Sequence, residues 1–336
     1  MNKYVAASFS IYVKVAFYVK WETKITKLLG IKYPIIQGGL AYLAYADLAA
    51  AVSNAGGLGQ ITAMSLDDPE KLREEIQRTR GMTDKPFGVN FAIGMGRRPF
   101  EEMVEVAIEE NVPAITITGG NPEKILSMTK DTDIKRLVLV AAKRQAEKAE
   151  ELGADAVMVV GQEGGGHIGR NDTGTIVLTP DIVDHVSIPV VASGGIVDGR
   201  GLMASLALGA EGIEMGTRFI ATKECVHAHP HYQQAILDAD ETSTVVIKRS
   251  LGFPARALKN EWTDQILELE AKQATYEQLS DLISGEANKR YIHDGVENEG
   301  YGWAGQGVAR IHDIPTVEEL IQSIIEEAER IRKKWS

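Results

Sequence analysis

The sequence contains a single cysteine among its 336 residues, Cys225. No disulfide can therefore form within one chain, and this composition suits a reducing compartment, so we expect a cytoplasmic protein. Acidic residues also outnumber basic ones. The sequence has 47 Asp and Glu against 36 Lys and Arg, which gives a formal net charge of -11. A chain of this charge repels nucleic acid and anionic membrane surfaces, so we expect neither as a partner.

A hydrophobic run long enough to cross a bilayer is also missing from the N-terminal region. Residues 4–18 are moderately apolar, but they are too few to span a membrane, and Lys14 interrupts them. No small-residue cleavage site follows a clean apolar core, as a signal peptide would require. We interpret residues 1–22 as an N-terminal extension.

What the chain does contain is a regular alternation of short β-branched runs with longer amphipathic stretches. Most of the β-branched runs are continuously apolar, which indicates strands buried on both faces, as in a parallel sheet covered by helices. The predicted strands are Tyr33–Gln37, Leu58–Thr62, Phe87–Phe91, Ala114–Thr118, Arg136–Ala141, Ala156–Gly161, Pro189–Ser193 and Gly212–Gly216.

Eight such units in about 200 residues predict an α/β fold, a (β/α)8 TIM barrel, with a doubly wound open sheet as the structural alternative. We place the barrel at residues 23–222. The pattern then changes, and residues 223–310 predict a mainly helical lid inserted after the eighth strand. Residues 311–336 would supply the final barrel helix, whose apolar stripe lies within Val317–Lys333.

Glycine-rich segments follow the predicted strands, at the rim where active sites of such barrels lie. The loops after the seventh and eighth strands contain Ser193-Gly194-Gly195 and Gly216-Thr217. Phosphate sites are frequently built there, since glycine lets backbone N–H groups approach a phosphate and hydroxyl groups complete the cage. Tight turns without a ligand are the alternative.

The run Gly161–Gly169 contains three consecutive glycines directly before His167. It formally matches a dinucleotide-binding pattern, but no helix is predicted to begin after it, so we reject that interpretation. Backbone packed flat against a planar ligand, with His167 beside it, explains the run better. His167 is then a candidate general base, and a solvated loop histidine is the alternative.

A second histidine-rich segment, Glu224–His231, invites a metal interpretation. Pro230 and the flanking Lys223 instead suggest a loop that enters the lid, and no matching ligand cluster stands elsewhere, so we predict no metal site.

Together the motifs resemble those of the nitronate monooxygenase family of FMN-dependent barrels, formerly called 2-nitropropane dioxygenases. The matching segments are PIIQGGL, NAGGLGQITA, PFGVN, GQEGGGHIGR, IPVVASGGIVDGRG and ALGAEGIEMGTRF. The resemblance implies an FMN cofactor, with His167 in the position of the family's catalytic histidine. The implied FMN-binding residues are Gln37, Gly38, Gly39, Asn90, Gly165 and Gly166, with Ser193, Gly194, Gly195, Gly216 and Thr217 at the phosphate.

The implied reaction is oxidation of alkyl nitronates or nitroalkanes with O2 to carbonyl compounds and nitrite. His167 would take the α-proton of a neutral nitroalkane or steady an anion that arrives as the nitronate. The same FMN site could instead serve an NAD(P)H:quinone reductase or an enoyl-ACP reductase. Tyr301 and Trp303 of the lid could form part of a stacking face for such a reaction, although we expect them rather in the buried core of the lid. A barrel that binds a phosphorylated metabolite without flavin is the alternative from another class, and a homodimer is left open.

Overall fold

The computed structural model describes residues 21–94 and 99–335. Residues 1–20 of the predicted N-terminal extension lie outside this range. The strands, in chain order, are β1 (Ile35–Gln37), β2 (Gly59–Thr62), β3 (Phe87–Ala92), β4 (Ala114–Thr118), β5 (Lys135–Val140), β6 (Ala156–Val160), β7 (Gly166–His167), β8 (Val190–Ser193), β9 (Gly212–Met215), β10 (Thr244–Ile247) and β11 (Ala255–Leu258).

Eight of these strands form one parallel sheet in the order β1-β9-β8-β6-β5-β4-β3-β2. The two ends of this sheet meet, because Ile36 pairs in parallel with Leu58 and Gln37 N–H donates to the Leu58 carbonyl at 3.0 Å. The predicted (β/α)8 barrel is therefore confirmed. The strand ends shift slightly, as the first strand begins at Ile35 and not at Tyr33.

Helices follow the barrel strands and cover their outer faces, as expected for this fold. Local caps fix several of the starts. For example, Asp68 accepts from Lys71 N–H before a helix that opens with Pro69, which is a favoured first helical residue. The helices are α1 (Lys24–Leu29), α2 (Ala46–Asn54), α3 (Pro69–Met82), α4 (Glu101–Glu109), α5 (Glu123–Thr129), α6 (Lys143–Glu151), α7 (Thr175–Val183), α8 (Gly199–Ala207), α9 (Thr217–Ile220), α10 (Pro230–Leu237), α11 (Glu261–Ala271), α12 (Tyr276–Leu279), α13 (Gly285–Ile292) and α14 (Val317–Trp335).

The barrel interior differs sharply between its two ends. At the N-terminal end, Ile25 and Leu29 of α1 pack in one buried cluster with Ile36, Leu58 and strand residues from the rest of the barrel. This plug closes the end that α1 covers. The polar side chains of the strands lie instead toward the carboxyl ends of the strands, which leaves that end for chemistry.

After β9 the chain forms the segment predicted as a lid. Helices α10, α11, α12 and α13 lie in this segment, in agreement with its predicted mainly helical character. The sequence pattern did not indicate the antiparallel pair of β10 and β11, in which Thr244 pairs with Leu258. Helix α14 then packs against α8 and α2, as the final barrel helix should. Within the described residues, no helix has the length and apolar character needed to cross a bilayer.

Candidate active site

A buried network of amide and hydroxyl groups joins strands β1 to β4 inside the barrel. The side chain of Gln60 donates to the Gln37 carbonyl at 2.6 Å, and Gln60 N–H donates to Gln37 Oε1 at 2.8 Å. Asn90 donates to Thr116 Oγ1 at 2.8 Å, and the Thr116 hydroxyl donates to Gln60 Oε1. Buried polar groups need hydrogen-bond partners. The bonds within this network provide them and fix the orientation of the amide side chains.

The turn after β1 passes close to this network. A Cβ atom on Gly39 would stand 2.4 Å from the side chain of Asn90, and one on Gly38 would stand 3.2 Å from Oε1 of Glu214. A side chain at Gly39 would therefore force Asn90 to move, and one at Gly38 would be in tight contact with Glu214. The structure therefore brings together Gln37, Gly38, Gly39 and Asn90, four of the residues that the resemblance implies for FMN binding.

Glu214 adds an ionisable group beneath this turn. Its side chain is buried in the barrel, and burial raises the pKa of the carboxyl, while a hydrogen bond with the Ser193 side chain acts in the opposite direction. A carboxyl in such surroundings favours its neutral form, which can donate as well as accept a hydrogen bond.

The predicted phosphate residues lie at the ends of two neighbouring strands and in the loops that follow them, since Ser193 at the end of β8 pairs with Glu214 of β9. Gly194 and Gly195 have φ values of 96° and 74°, in the left-handed region that favours glycine. Within the described parts of the chain, the N–H groups of Gly194, Gly195 and Thr217 donate to no protein acceptor. Three unpartnered donors on two adjacent loops suit an anion.

The glycine run around His167 is held by the lid. Strand β7 pairs antiparallel with β11, in the register that sets His167 opposite Ala255. Gly165 lies against the lid backbone, because a Cβ atom there would stand 2.6 Å from the Gly305 nitrogen. A Cβ atom on Gly166 would meet nothing within 4 Å. The structure thus explains Gly165 by a contact with the lid and leaves open space beside Gly166.

His167 has a partner that the sequence analysis did not identify. Lys248 is the residue that directly follows β10. Its side-chain amine lies 2.8 Å from Nε2 of His167. Trp303 stands beside both residues, with its ring centroid 5.7 Å from that of His167 and 4.8 Å from the Lys248 amine. One aromatic side chain therefore borders a histidine and a lysine that touch each other.

Desolvation and nearby charges determine the protonation states of His167 and Lys248. His167 is accessible to solvent, yet protein surrounds it closely, and this desolvation, with the Lys248 charge as the smaller cause, lowers its pKa to about 4. Burial lowers the pKa of Lys248 to about 8, against an opposing effect of Glu270. At neutral pH the pair therefore consists of a neutral imidazole and an ammonium group.

The two aromatic residues that the sequence analysis considered together have different surroundings. Tyr301 is 2% exposed, and its hydroxyl donates to the carbonyl groups of Ile283 and Ser284. Trp303 is half-buried beside His167. Trp303 can border a ligand, whereas Tyr301 belongs to the core of the lid.

The histidine-rich segment before α10 forms structural contacts. His229 caps α10 by accepting from His231 N–H at 3.2 Å, and Cys225 is buried, which raises its pKa to about 12. In the part of the chain that the structure describes, no three His, Cys, Asp or Glu side chains come together as metal ligands would.

Sequence reasoning missed four residues of the site, Gln60, Thr116, Glu214 and Lys248. The first three are polar residues inside otherwise apolar strands, and that signal could have identified them. Lys248 gave no comparable signal, because its position beside His167 depends on how the lid pairs with β7.

Comparison with known proteins identifies the family. A sequence profile described as nitronate monooxygenase matches residues 22–98 and 91–327 of the chain. The chain belongs to the nitronate monooxygenase family. The resemblance seen in the sequence is thereby confirmed, and the protein is an enzyme of the oxidoreductase class.

Individual relatives agree with this assignment over nearly their full lengths. A probable nitronate monooxygenase from Staphylococcus saprophyticus is 32% identical and aligns with 94% of this chain and 100% of its own. The structure of FabK from Thermotoga maritima is 39% identical, with a TM-score of 0.88 over 94% of this chain and 98% of its own. Nitroalkane oxidase from Streptomyces ansochromogenes is 26% identical, with a TM-score of 0.78 over 93% and 99% of the two chains.

Proposed function

We propose that this member of the nitronate monooxygenase family is an FMN-dependent enzyme that oxidises alkyl nitronates with O2 to carbonyl compounds and nitrite. The observation that carries the proposal is the joint position of His167, Lys248 and the phosphate-type donors on loops at one end of the barrel. The family match and the likeness to a nitroalkane oxidase support the same reaction.

The residues present fit FMN by their chemistry. The free N–H groups of Gly194, Gly195 and Thr217 suit a phosphate, and the buried amides of Gln37 and Asn90 suit the polar edge of a flavin ring. When bound, FMN would take electrons from the substrate and pass them to O2.

The protein's own contribution would be position and electrostatics. The Lys248 ammonium and His167 would place hydrogen-bond donors and positive charge beside the oxygens of the substrate. Trp303 would form an apolar wall and, with the rest of the lid at residues 223–310, limit access of water. The substrates would be small molecules in the cytoplasm.

A second candidate reaction rests on one observation, the 39% identity with FabK of Thermotoga maritima. This value exceeds the 32% identity with the probable nitronate monooxygenase. In this candidate, NAD(P)H would supply the electrons, and a quinone or an enoyl thioester would receive them at the same site.

An anaerobic titration of the purified holoenzyme distinguishes these reactions. We expect the visible flavin absorbance to bleach with propane-2-nitronate and to stay unchanged with NADH. Rapid bleaching by NADH alone would make the reductase the main activity. A purified protein that is colourless and gains no flavin spectrum with added FMN would instead indicate a barrel for a phosphorylated metabolite.

A further inference from the structure

The contact between Lys248 and His167 determines which imidazole nitrogen carries the proton. An ammonium group has three donors and no acceptor. At 2.8 Å from Nε2 of His167, the Lys248 amine must therefore donate, and Nε2 must accept. In a neutral imidazole with its lone pair on Nε2, the proton lies on Nδ1.

The surroundings of Lys248 offer its amine few hydrogen-bond acceptors other than His167. Lys248 is 4% exposed, and its amine lies over the rings of Trp303 and Phe253, at 4.8 and 5.6 Å from their centroids. Among the residues that the structure describes, His167 is the hydrogen-bond acceptor of this amine, and the Glu270 carboxylate, which bonds the Lys248 backbone, acts on the amine only through its charge. A buried ammonium without a directly bonded carboxylate is costly, which argues for a role beyond stability.

The backbone at Lys248 also indicates that its position is imposed. Lys248 has a φ of 64°, in the left-handed region that residues with side chains seldom adopt. Its N–H donates to Oε2 of Glu270 at 2.8 Å, so α11 holds this conformation. Local strain that the surrounding structure maintains is typical of functional sites.

The other imidazole nitrogen remains available to a ligand. Nδ1 of His167 forms no hydrogen bond to any described residue, and the histidine is accessible to solvent. A protonated Nδ1 in this position is a donor that points to no protein acceptor. Such a donor suits an oxygen atom that carries negative charge.

We propose that Lys248 is a positioning residue that holds His167 as the neutral Nδ1–H tautomer, so that the imidazole donates a hydrogen bond to an anionic oxygen of the substrate. With Nε2 occupied and Nδ1 protonated, His167 has no lone pair with which to take an α-proton. The inference rests on the proposed function and narrows its substrate class to the nitronate anion, formed before it binds, as opposed to the neutral nitroalkane.

The tautomer can be measured directly and without turnover. In the holoenzyme labelled with ¹⁵N-histidine, a long-range ¹H–¹⁵N spectrum at neutral pH should show His167 protonated on Nδ1, with the signal assigned by its loss in His167→Gln. In Lys248→Met, which keeps the length of the side chain without its donors, the Nε2–H tautomer should appear. The pKa of His167 should also rise, because a nearby positive charge has been removed.

Two further variants complete this test. Lys248→Arg retains a cation with donors only and should preserve the Nδ1–H tautomer. Lys272→Met removes an exposed lysine of the same lid and should change neither the tautomer nor the pKa. An Nε2–H tautomer in the unaltered enzyme, or an unchanged spectrum in Lys248→Met, would overturn the proposal. If Lys248→Met does not fold, loss of the Nδ1–H tautomer in Lys248→Arg would contradict it.

Kinetics separate this inference from the proposed function. The kcat/KM for propane-2-nitronate should fall about 10-fold or more in Lys248→Met, whereas any rate on neutral 2-nitropropane should not fall. A loss confined to the neutral substrate would show that the pair acts in proton abstraction and would refute the inference. An enzyme with the Nδ1–H tautomer but without nitronate oxidation would refute only the proposed function.

Discussion

The amine of Lys248 and the imidazole of His167 are 2.8 Å apart in space and 81 positions apart in the chain. The histidine belongs to β7, after the sixth strand of the barrel, and the lysine follows β10 of the lid. The two meet because β7 and β10 both pair with β11. This relationship connects the lid to the chemistry of the barrel.

The first prediction concerns the pH dependence of nitronate oxidation. Because the pKa of Lys248 is about 8, its ammonium group loses a proton as the pH rises through that value. The kcat/KM for propane-2-nitronate should therefore fall on the alkaline side, with an apparent pKa of about 8. A pH profile of Lys248→Arg should lack this fall, since arginine keeps its charge. The same alkaline fall in both enzymes would assign it to another group.

The second prediction concerns the cost of burying Lys248. Its pKa in the folded protein is about 8, below the ordinary value of 10.5, so between these values the unfolded chain binds a proton that the folded chain has lost. The free energy of unfolding therefore rises with pH through this window, and the full penalty applies below about pH 8. Lys248→Met should stabilise the protein at neutral pH by roughly 1–3 kcal/mol and by less at alkaline pH. Thermal unfolding at both pH values tests this, and a destabilised variant at neutral pH would contradict it.

The third prediction concerns the contact between the glycine run and the lid. In Gly165→Ala, the new methyl group would stand 2.6 Å from the Gly305 nitrogen and 2.8 Å from the Ala304 carbonyl carbon. Because both are backbone atoms, the lid must move, and we expect a loss of about 1–3 kcal/mol in stability together with a loss of activity. Gly81→Ala is the matched control. Gly81 lies in helix α3, and a methyl group there would meet no atom within 4 Å. It should leave stability unchanged or raise it.

The fourth prediction concerns the phosphate site. Thr217 Oγ1 accepts from Gly305 N–H at 3.0 Å, so its own proton is free to bond an anion. Thr217→Val should weaken FMN binding to the apoprotein by about 10-fold, because a hydrogen bond to a charged group is lost. Quenching of flavin fluorescence gives the dissociation constants. Riboflavin, which lacks the phosphate, is the control, and an equal loss for both flavins would argue against a phosphate contact.

The fifth prediction concerns Glu214 beneath the glycine turn. Burial raises the pKa of this carboxyl, so the folded chain retains a proton that the unfolded chain releases above the ordinary pKa of 4.5. The free energy of unfolding then decreases as the pH rises above 4.5. Glu214→Gln removes this dependence, so its gain in thermal stability should be larger at neutral than at acidic pH. A variant that loses stability equally at both would show that the amide cannot replace the carboxyl.

The sequence alone determined the barrel and the loops that follow its strands. Continuous apolar runs reveal strands buried on both faces, and glycine motifs after the predicted strands mark the loops that converge at one rim. Helix α14 could also be predicted from the sequence, because its apolar residues form one stripe, which consists of Leu320, Ile321, Ile324 and Ile325. These features are local, so the pattern of neighbouring residues is sufficient to predict them.

Only the tertiary structure decided how His167 is held and charged. The antiparallel pairing of β10, β11 and β7 joins segments far apart in the chain, and no periodicity in any one of them specifies the others. Lys248 in the sequence resembles any surface lysine. Its burial under Trp303 and its donation to Nε2 of His167 arise from packing, and packing determines the charge and the tautomer of that histidine.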